Sequence, residues 1–221
     1  MRLSSPSFPD QGVIPVEYAL CMPDPEAHLT LAPNRNPTLV WEGLPKDTQS
    51  LALICHDEDA PTQQLGDINR EGIVLSAEQP RGRFYHWVMV DIDPGLGAIQ
   101  AGEFSEGLSR HDKQSPQTRH GARQGLNHFT DWFAKDPEMA GKYFGYDGPC
   151  PPWNDSIPHR YVFTLYALDI PRCPVEGEFR AYDVLHAIEG QVLATATLVG
   201  VYSMNPKLTV WRRSLRVSQT G

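Results

Sequence analysis

Runs of β-branched and aromatic residues, broken by glycine and proline, set the pattern of this chain. The strongest are Leu51–Cys55, Tyr161–Leu168 and Ala194–Tyr202, each of strand length and strand composition. Leu39-Val40-Trp41 is a shorter run of the same kind, separated from Leu51 by a polar turn at Lys46–Gln49. Tyr85 to Asp91 also reads as a strand, with His86, Val88 and Val90 on one face and Tyr85, Trp87 and Met89 on the other. Residues 8–35 are extended and punctuated by proline, with one short strand expected near Val16–Ala19. Helical spacing is rarer. Leu185, Ile188 and Val192 give an apolar stripe to a helix over 182–193, against the propensity of Gly190. Two short helices are expected further upstream. One carries Leu126, Phe129, Trp132 and Phe133, and the other starts at Asp136-Pro137-Glu138, which supplies an N-cap, a proline at the first position and an acidic first turn. Strands dominate and no regular β-α-β alternation occurs, so the pattern predicts antiparallel β structure with a few appended helices.

Between the strands lie two long irregular segments. Residues 62–84 form a loop rich in glycine and proline. Residues 93–147 form an elaborated insertion, broken by Gly95, Gly97, Gly102 and Gly107 and locally basic at Arg110, His111, Lys113, Arg119, His120 and Arg123. The insertion's aromatic set (Phe129, Trp132, Phe133, Tyr143, Phe144 and Tyr146) is expected to pack on the sheet or on another subunit. An aromatic surface of that size predicts a homodimer and an interface or pocket-rim role for the insertion. The final residues, 212–221, are polar and expected to fray.

A length of 221 residues suits a single domain over 1–221 that buries its own core. The net charge of −8 argues against sequence-independent nucleic-acid binding and gives no attraction to anionic lipid. No apolar leader segment and no run of about 18 apolar residues is visible, so neither export nor an integral membrane segment is expected. Cys21, Cys55, Cys150 and Cys173 have no C-x-x-C spacing and read as reduced thiols of a cytoplasmic protein.

The candidate chemistry gathers where loops meet strands. Gly148-Pro149-Cys150-Pro151-Pro152 is too rich in proline to be helix or central strand, so it must be a stiff loop, and it leads to His159-Arg160-Tyr161 at the start of a strand. Asp57-Glu58-Asp59-Ala60-Pro61 follows the Leu51–Cys55 strand, and His86 opens Trp87–Val90. Two carboxylates, two histidines and a rigid loop at strand ends suit a small ligand. Protonated imidazoles donate to an anion, while carboxylates hold the imidazoles or bind an ammonium. That division matches a zwitterion such as phosphorylethanolamine. Arg160 reads as a structural ion-pair partner, and His28, His111, His120, His128 and His186 read as surface residues. A second possibility is a cysteine-dependent hydrolase using Cys150 with His159 and Asp57. Against it stand the absence of a nucleophile elbow and the prolines flanking Cys150, whose nitrogens cannot donate to an oxyanion. No metal site is expected, since no ligand pair is closely spaced.

Several segments in order resemble the phosphatidylethanolamine-binding protein family, in its bacterial Raf-kinase-inhibitor-like branch. They are Asn36-Pro37-Thr38-Leu39-Val40-Trp41, the D-x-D-A-P run at Asp57–Pro61, His86-Trp87-Val88, and G-P-C-P-P with H-R-Y between Gly148 and Tyr161. The resemblance extends from about Phe8 to Tyr202 and departs at Glu58, where the commonest family pattern has proline. It implies a Greek-key β-sandwich with a pocket at one end, a few peripheral helices and a C-terminal helix. It further implies a non-catalytic pocket for small anionic or phosphorylated ligands, with no cofactor. The site residues carried over are Asp57, His86, Pro151 and His159, surrounded by Asp59, Pro61, Phe84, Gly148, Cys150, Pro152 and Tyr161. It also implies a cis Ala60–Pro61 bond and an association with inhibiting kinases or proteases.

Overall fold

A computed structural model of the protein describes residues 1–109, 111 and 120–208. The tail expected to fray, 212–221, and the basic residues Arg110, Lys113 and Arg119 lie outside the described residues. Among the described residues eleven strands form, in chain order: β1 (Arg2–Ser4), β2 (Gly12–Val13), β3 (Cys21–Asp24), β4 (His28–Leu31), β5 (Leu39–Glu42), β6 (Ser50–Pro61), β7 (Arg81–Ile92), β8 (Ala98–Ile99), β9 (Arg123–Gln124), β10 (His159–Leu168) and β11 (Val192–Tyr202). Two short helices are α1 (Phe129–Trp132) and α2 (Ala181–Ala187). A six-stranded sheet has the order β2-β11-β10-β6-β7-β9, with only the β2–β11 pair parallel, and a three-stranded antiparallel sheet has the order β1-β5-β8. β3 and β4 form a separate hairpin. No helix among the described residues is long and apolar enough to cross a membrane.

Alternation along the strands explains why the two sheets face each other. Leu51, Leu53 and Cys55 of β6, with Tyr161, Phe163 and Leu165 of β10, point one way and join Leu3, Leu39, Trp41 and Ile99 in the core between the sheets. Ala52 and Ile54 point the other way, to a smaller core closed by Val184 of α2 and by Ile188 just after it.

The expected alternation of the His86 strand is overturned by a β-bulge. Cys55 pairs with Trp87 and His56 with Tyr85, so His86 is the unpaired extra residue. Past the bulge the parity changes: Tyr85 joins Val88 and Val90 in the smaller core, and His86 is turned to the same side as Trp87.

Other expectations change for local reasons. Val16–Tyr18 is a 3-10 turn rather than a strand, because the Tyr18 and Ala19 amides bond back to Pro15 and Val16 at 3.0 and 3.1 Å. Asp136-Pro137-Glu138 makes a single turn, with the Met139 and Ala140 amides both bonding to the Asp136 carbonyl. The helix expected over 182–193 stops at Ala187, since Gly190, at φ 77°, turns the chain into β11. All peptide bonds of the described residues are trans, so Ala60–Pro61 is not cis; both residues extend β6, paired with Gly82 and Arg81. The insertion's aromatics are consumed within the chain. Phe129, Tyr143, Phe144 and Tyr146 are buried and Phe133 is half-buried, leaving only Trp132 of the six exposed, which removes the ground for expecting a homodimer.

Candidate functional site

Asp57 continues the Leu51-Leu53-Cys55 face of β6, and His159 continues the Tyr161-Phe163-Leu165 face of β10. The register sets Asp57 opposite Tyr161, which places His159 diagonally across from it. The His159 Nδ1 lies 2.6 Å from one Asp57 carboxylate oxygen, and the other oxygen accepts the Asp59 amide at 2.8 Å. The His159 Nε2 lies 3.0 Å from Asp155, whose carboxylate in turn takes both terminal nitrogens of Arg81 at 2.5 and 3.0 Å. Charges therefore alternate along Arg81, Asp155, His159 and Asp57. Burial opposes the charge on His159, but Asp57 first and then Asp155 outweigh it and raise the imidazole pKa to about 9. Burial likewise opposes charge on Asp155, and hydrogen bonds from His159 and Arg81 overcome it to hold this carboxyl below its usual range. His159 is a fully buried imidazolium with both N–H groups already given to carboxylates.

His86 differs. Its Nδ1 lies 2.7 Å from the Asp147 carbonyl, which can only accept, so Nδ1 carries the hydrogen and neutral Nε2 carries a lone pair. The Asp147 amide returns a bond to the His86 carbonyl at 3.0 Å, and the Asp147 carboxylate takes the side-chain amides of Asn34 and Asn127 at 2.8 and 2.7 Å. Burial pushes the His86 pKa down, with Asp57 opposing. Tyr161 completes this floor. Its buried hydroxyl neighbours the Asp57 carboxylate, and burial first, then Asp57, hold its ionisation well above the usual phenol range.

These groups lie at the bottom of a cavity of about 330 Å³ lined also by Pro61, Phe84, Cys150, Pro151 and Pro152. Its walls are apolar: Leu20, Leu29 and Leu31 from the hairpin side, and Leu108, Phe129, Trp132, Phe133 and Met139 from the insertion. Two carried-over residues are placed elsewhere. A second bulge in β6, between Asp57 and Ala60, separates the two aspartates, and Asp59 bonds the backbone and guanidinium of Arg160 at 2.8–2.9 Å. Gly148 supports the loop from behind: a Cβ there would sit 2.2 Å from the Tyr18 carbonyl, and its amide bonds Asn34 at 2.8 Å. His128, expected on the surface, is half-buried with its ring 5.2 Å from Phe84 and 5.1 Å from Tyr85, and burial lowers its pKa to about 4.

The reduced-thiol expectation fails for two of the four cysteines. The Leu20 and Cys21 amides both bond the Pro149 carbonyl, at 3.0 and 3.2 Å, laying the segments side by side, and Cys21 and Cys150 form a disulfide across Cα atoms 4.9 Å apart. Cys150 is therefore not the free thiol that a cysteine hydrolase requires. Cys55 and Cys173 are free and buried.

Sequence reasoning missed Asp155, Arg81 and Asp147. Asp155 left one trace, its place four residues before His159 in the loop leading to β10; Arg81 and Asp147 left none.

A family model described as phosphatidylethanolamine-binding protein matches residues 4–203. A UPF0098 protein of Methanothermobacter thermautotrophicus is 34% identical over 202 residues, covering 91% of this chain and 98% of that protein. UPF0098 protein YbcL of Escherichia coli K12 is 29% identical over 77% of this chain and 73% of its own length. Among solved structures, a phosphatidylethanolamine-binding protein homologue from Chlamydia trachomatis superposes with TM-score 0.61 at 26% identity, covering 91% of this chain and 96% of that one. E. coli YbcL, described as a member of the mammalian PEBP family, superposes with TM-score 0.64 at 22% identity over 91% and 97%, a likeness of fold. With its mainly β architecture and a match across nearly its whole length, this chain belongs to the phosphatidylethanolamine-binding protein family.

Proposed function

We propose that this chain is a non-catalytic binding protein for a small amphipathic ligand with a phosphate-containing head of the phosphorylethanolamine type. The observation that carries the reading is the cavity itself, with apolar walls from three separate segments enclosing a polar floor of Asp57, His86 and Tyr161. Its volume is near the lower end of small-molecule sites, roughly 300–1,000 Å³, which suits a headgroup and a short apolar portion. The two cysteines that line the cavity, Cys21 and Cys150, are joined in a disulfide, so neither offers a thiolate to attack a bound ligand.

The test is calorimetric titration with a short-chain phosphatidylethanolamine kept below its micelle concentration. We expect one-site binding that weakens about tenfold or more in His86→Ala, and chromatography of the ligand after incubation should return it intact. Absence of binding to the wild type overturns the reading, and turnover of the ligand overturns its non-catalytic part.

A further inference from the structure

A second groove, of about 1100 Å³, opens beside the β3–β4 hairpin and shares no lining residue with the cavity described above. It exceeds the roughly 300–1,000 Å³ of a small-molecule site, so a stretch of polypeptide fits it better than a metabolite. Its wall carries Ile73 and Val74, 37% and 65% exposed, and Trp153, whose ring stacks on His28 at 4.2 Å. Adjacent large apolar side chains left open to water at a concave surface mark a binding face. Two carboxylates border it. Asp24 accepts the Ala27 and Glu26 amides at 2.7 and 2.9 Å, which hold its carboxyl below the usual range, and Glu71 lies 3.2 Å from the His28 Nε2. Among the described residues the only lysine or arginine lining the groove is Lys207.

The chain itself leads into this groove. After β11 the Asn205 side-chain amide bonds the Asp155 carbonyl at 2.6 Å, and the Leu208 amide closes a turn on the Asn205 carbonyl at 3.1 Å. That turn sets Pro206 and Lys207 in the groove wall. Residues 209–221 follow. They hold Val210, Trp211, Leu215 and Val217, with Arg212, Arg213 and Arg216 and no aspartate or glutamate, a basic stretch on a chain of net charge −8. They also lie beyond residues 4–203 that match the family model, so the family pattern assigns them no role. Three extended residues span about 10 Å, which keeps Trp211 within reach of a groove that borders Lys207.

We propose that residues 209–213 dock in this groove of their own chain. Val210 and Trp211 cover the wall of Ile73, Val74 and Trp153, and Arg212 and Arg213 face Asp24 and Glu71. Apolar area and opposite charge on the two sides agree with this occupant. Tethering favours it over any separate molecule, because a segment joined at Leu208 is present at an effective concentration in the millimolar range.

Limited trypsin digestion of the full chain, followed by mass spectrometry, reads the docking, because cleavage after Arg212 and Arg213 tracks the population in which the segment is released. Val74→Glu disrupts the apolar wall and Glu71→Lys reverses a charge, and both positions are exposed. Each should speed cleavage at Arg212 and Arg213 about tenfold, which corresponds to about 1.4 kcal/mol of lost docking. Trp211→Ala should do the same, and it keeps the test open should a groove variant fail to fold by circular dichroism. Val192→Glu, exposed and outside the groove, should leave the rates unchanged. Equal rates in the wild type, the groove variants and Trp211→Ala overturn the proposal. So does protection that disappears on hundredfold dilution together with a dimeric mass by sedimentation, which would make a second copy the occupant.

Discussion

Placing an imidazolium between two buried carboxylates makes the stability of this protein depend on pH in a window set by His159. In an unfolded chain histidine titrates near ~6.5, and in the folded protein His159 titrates at about 9. A base whose folded pKa is raised stabilises the fold fully below its unfolded value, and that contribution is lost as pH rises to the folded value. The difference of roughly 2.5 pH units corresponds to about 3 kcal/mol. For a chain of this length each kcal/mol moves Tm by about 2–4 °C, so Tm should fall by about 6–12 °C between pH 6.5 and 9. Differential scanning calorimetry across that range measures the fall, and NMR of the imidazole Cε1–H group reports the His159 pKa directly. In His159→Gln the dependence should flatten. The same variant should lose about 3–5 kcal/mol at neutral pH, because Asp57 is left buried without its cation and Asp155 keeps only Arg81. A Tm that stays level from pH 6.5 to 9, or an imidazole titrating below 7, refutes the charge chain described here.

Acid should act through two other histidines. His128, held at about 4, and His86, also lowered, stay neutral in the fold while unfolded imidazoles charge, so stability should decline as pH drops below ~6.5, and replacing His128 by Phe should lessen that decline in pH-dependent melts. Cys21 and Cys150 are 129 residues apart, and closing so long a loop is worth about 2–5 kcal/mol. Cys21→Ser should therefore lower the urea midpoint in non-reducing buffer, and peptide mapping without reductant should recover the cross-linked pair from the wild type. Gly148→Ala should lose about 1–3 kcal/mol in the same assay, since the added methyl collides with the Tyr18 carbonyl and the stiff loop has little freedom to move away.

Periodicity made the central strands legible. Leu51–Cys55 is buried on both faces, while Tyr161–Leu168 and Ala194–Tyr202 bury alternate positions, and a strand that buries apolar residues on alternate positions has few other conformations open to it. Motifs at the strand ends likewise marked Asp57, His86 and His159 before any contact was known, and the structure places all three around one cavity. The sequence also determined that the Gly148–Pro152 loop is stiff, because proline acts through its own ring. Tertiary structure decided everything that depends on which segments meet. A bulge costs one unpaired residue and leaves no mark in composition, yet it turned His86 toward the cavity side and another separated Asp59 from Asp57. The Cys21–Cys150 bond, the capture of His159 by Asp155, and the amide clamp of Asn34 and Asn127 on Asp147 all join residues far apart in sequence or separated by a loop. Such pairings are properties of the assembled sheets, since a side chain's partner, and with it the side chain's charge and proton, is set by the space around it and not by its neighbours along the chain.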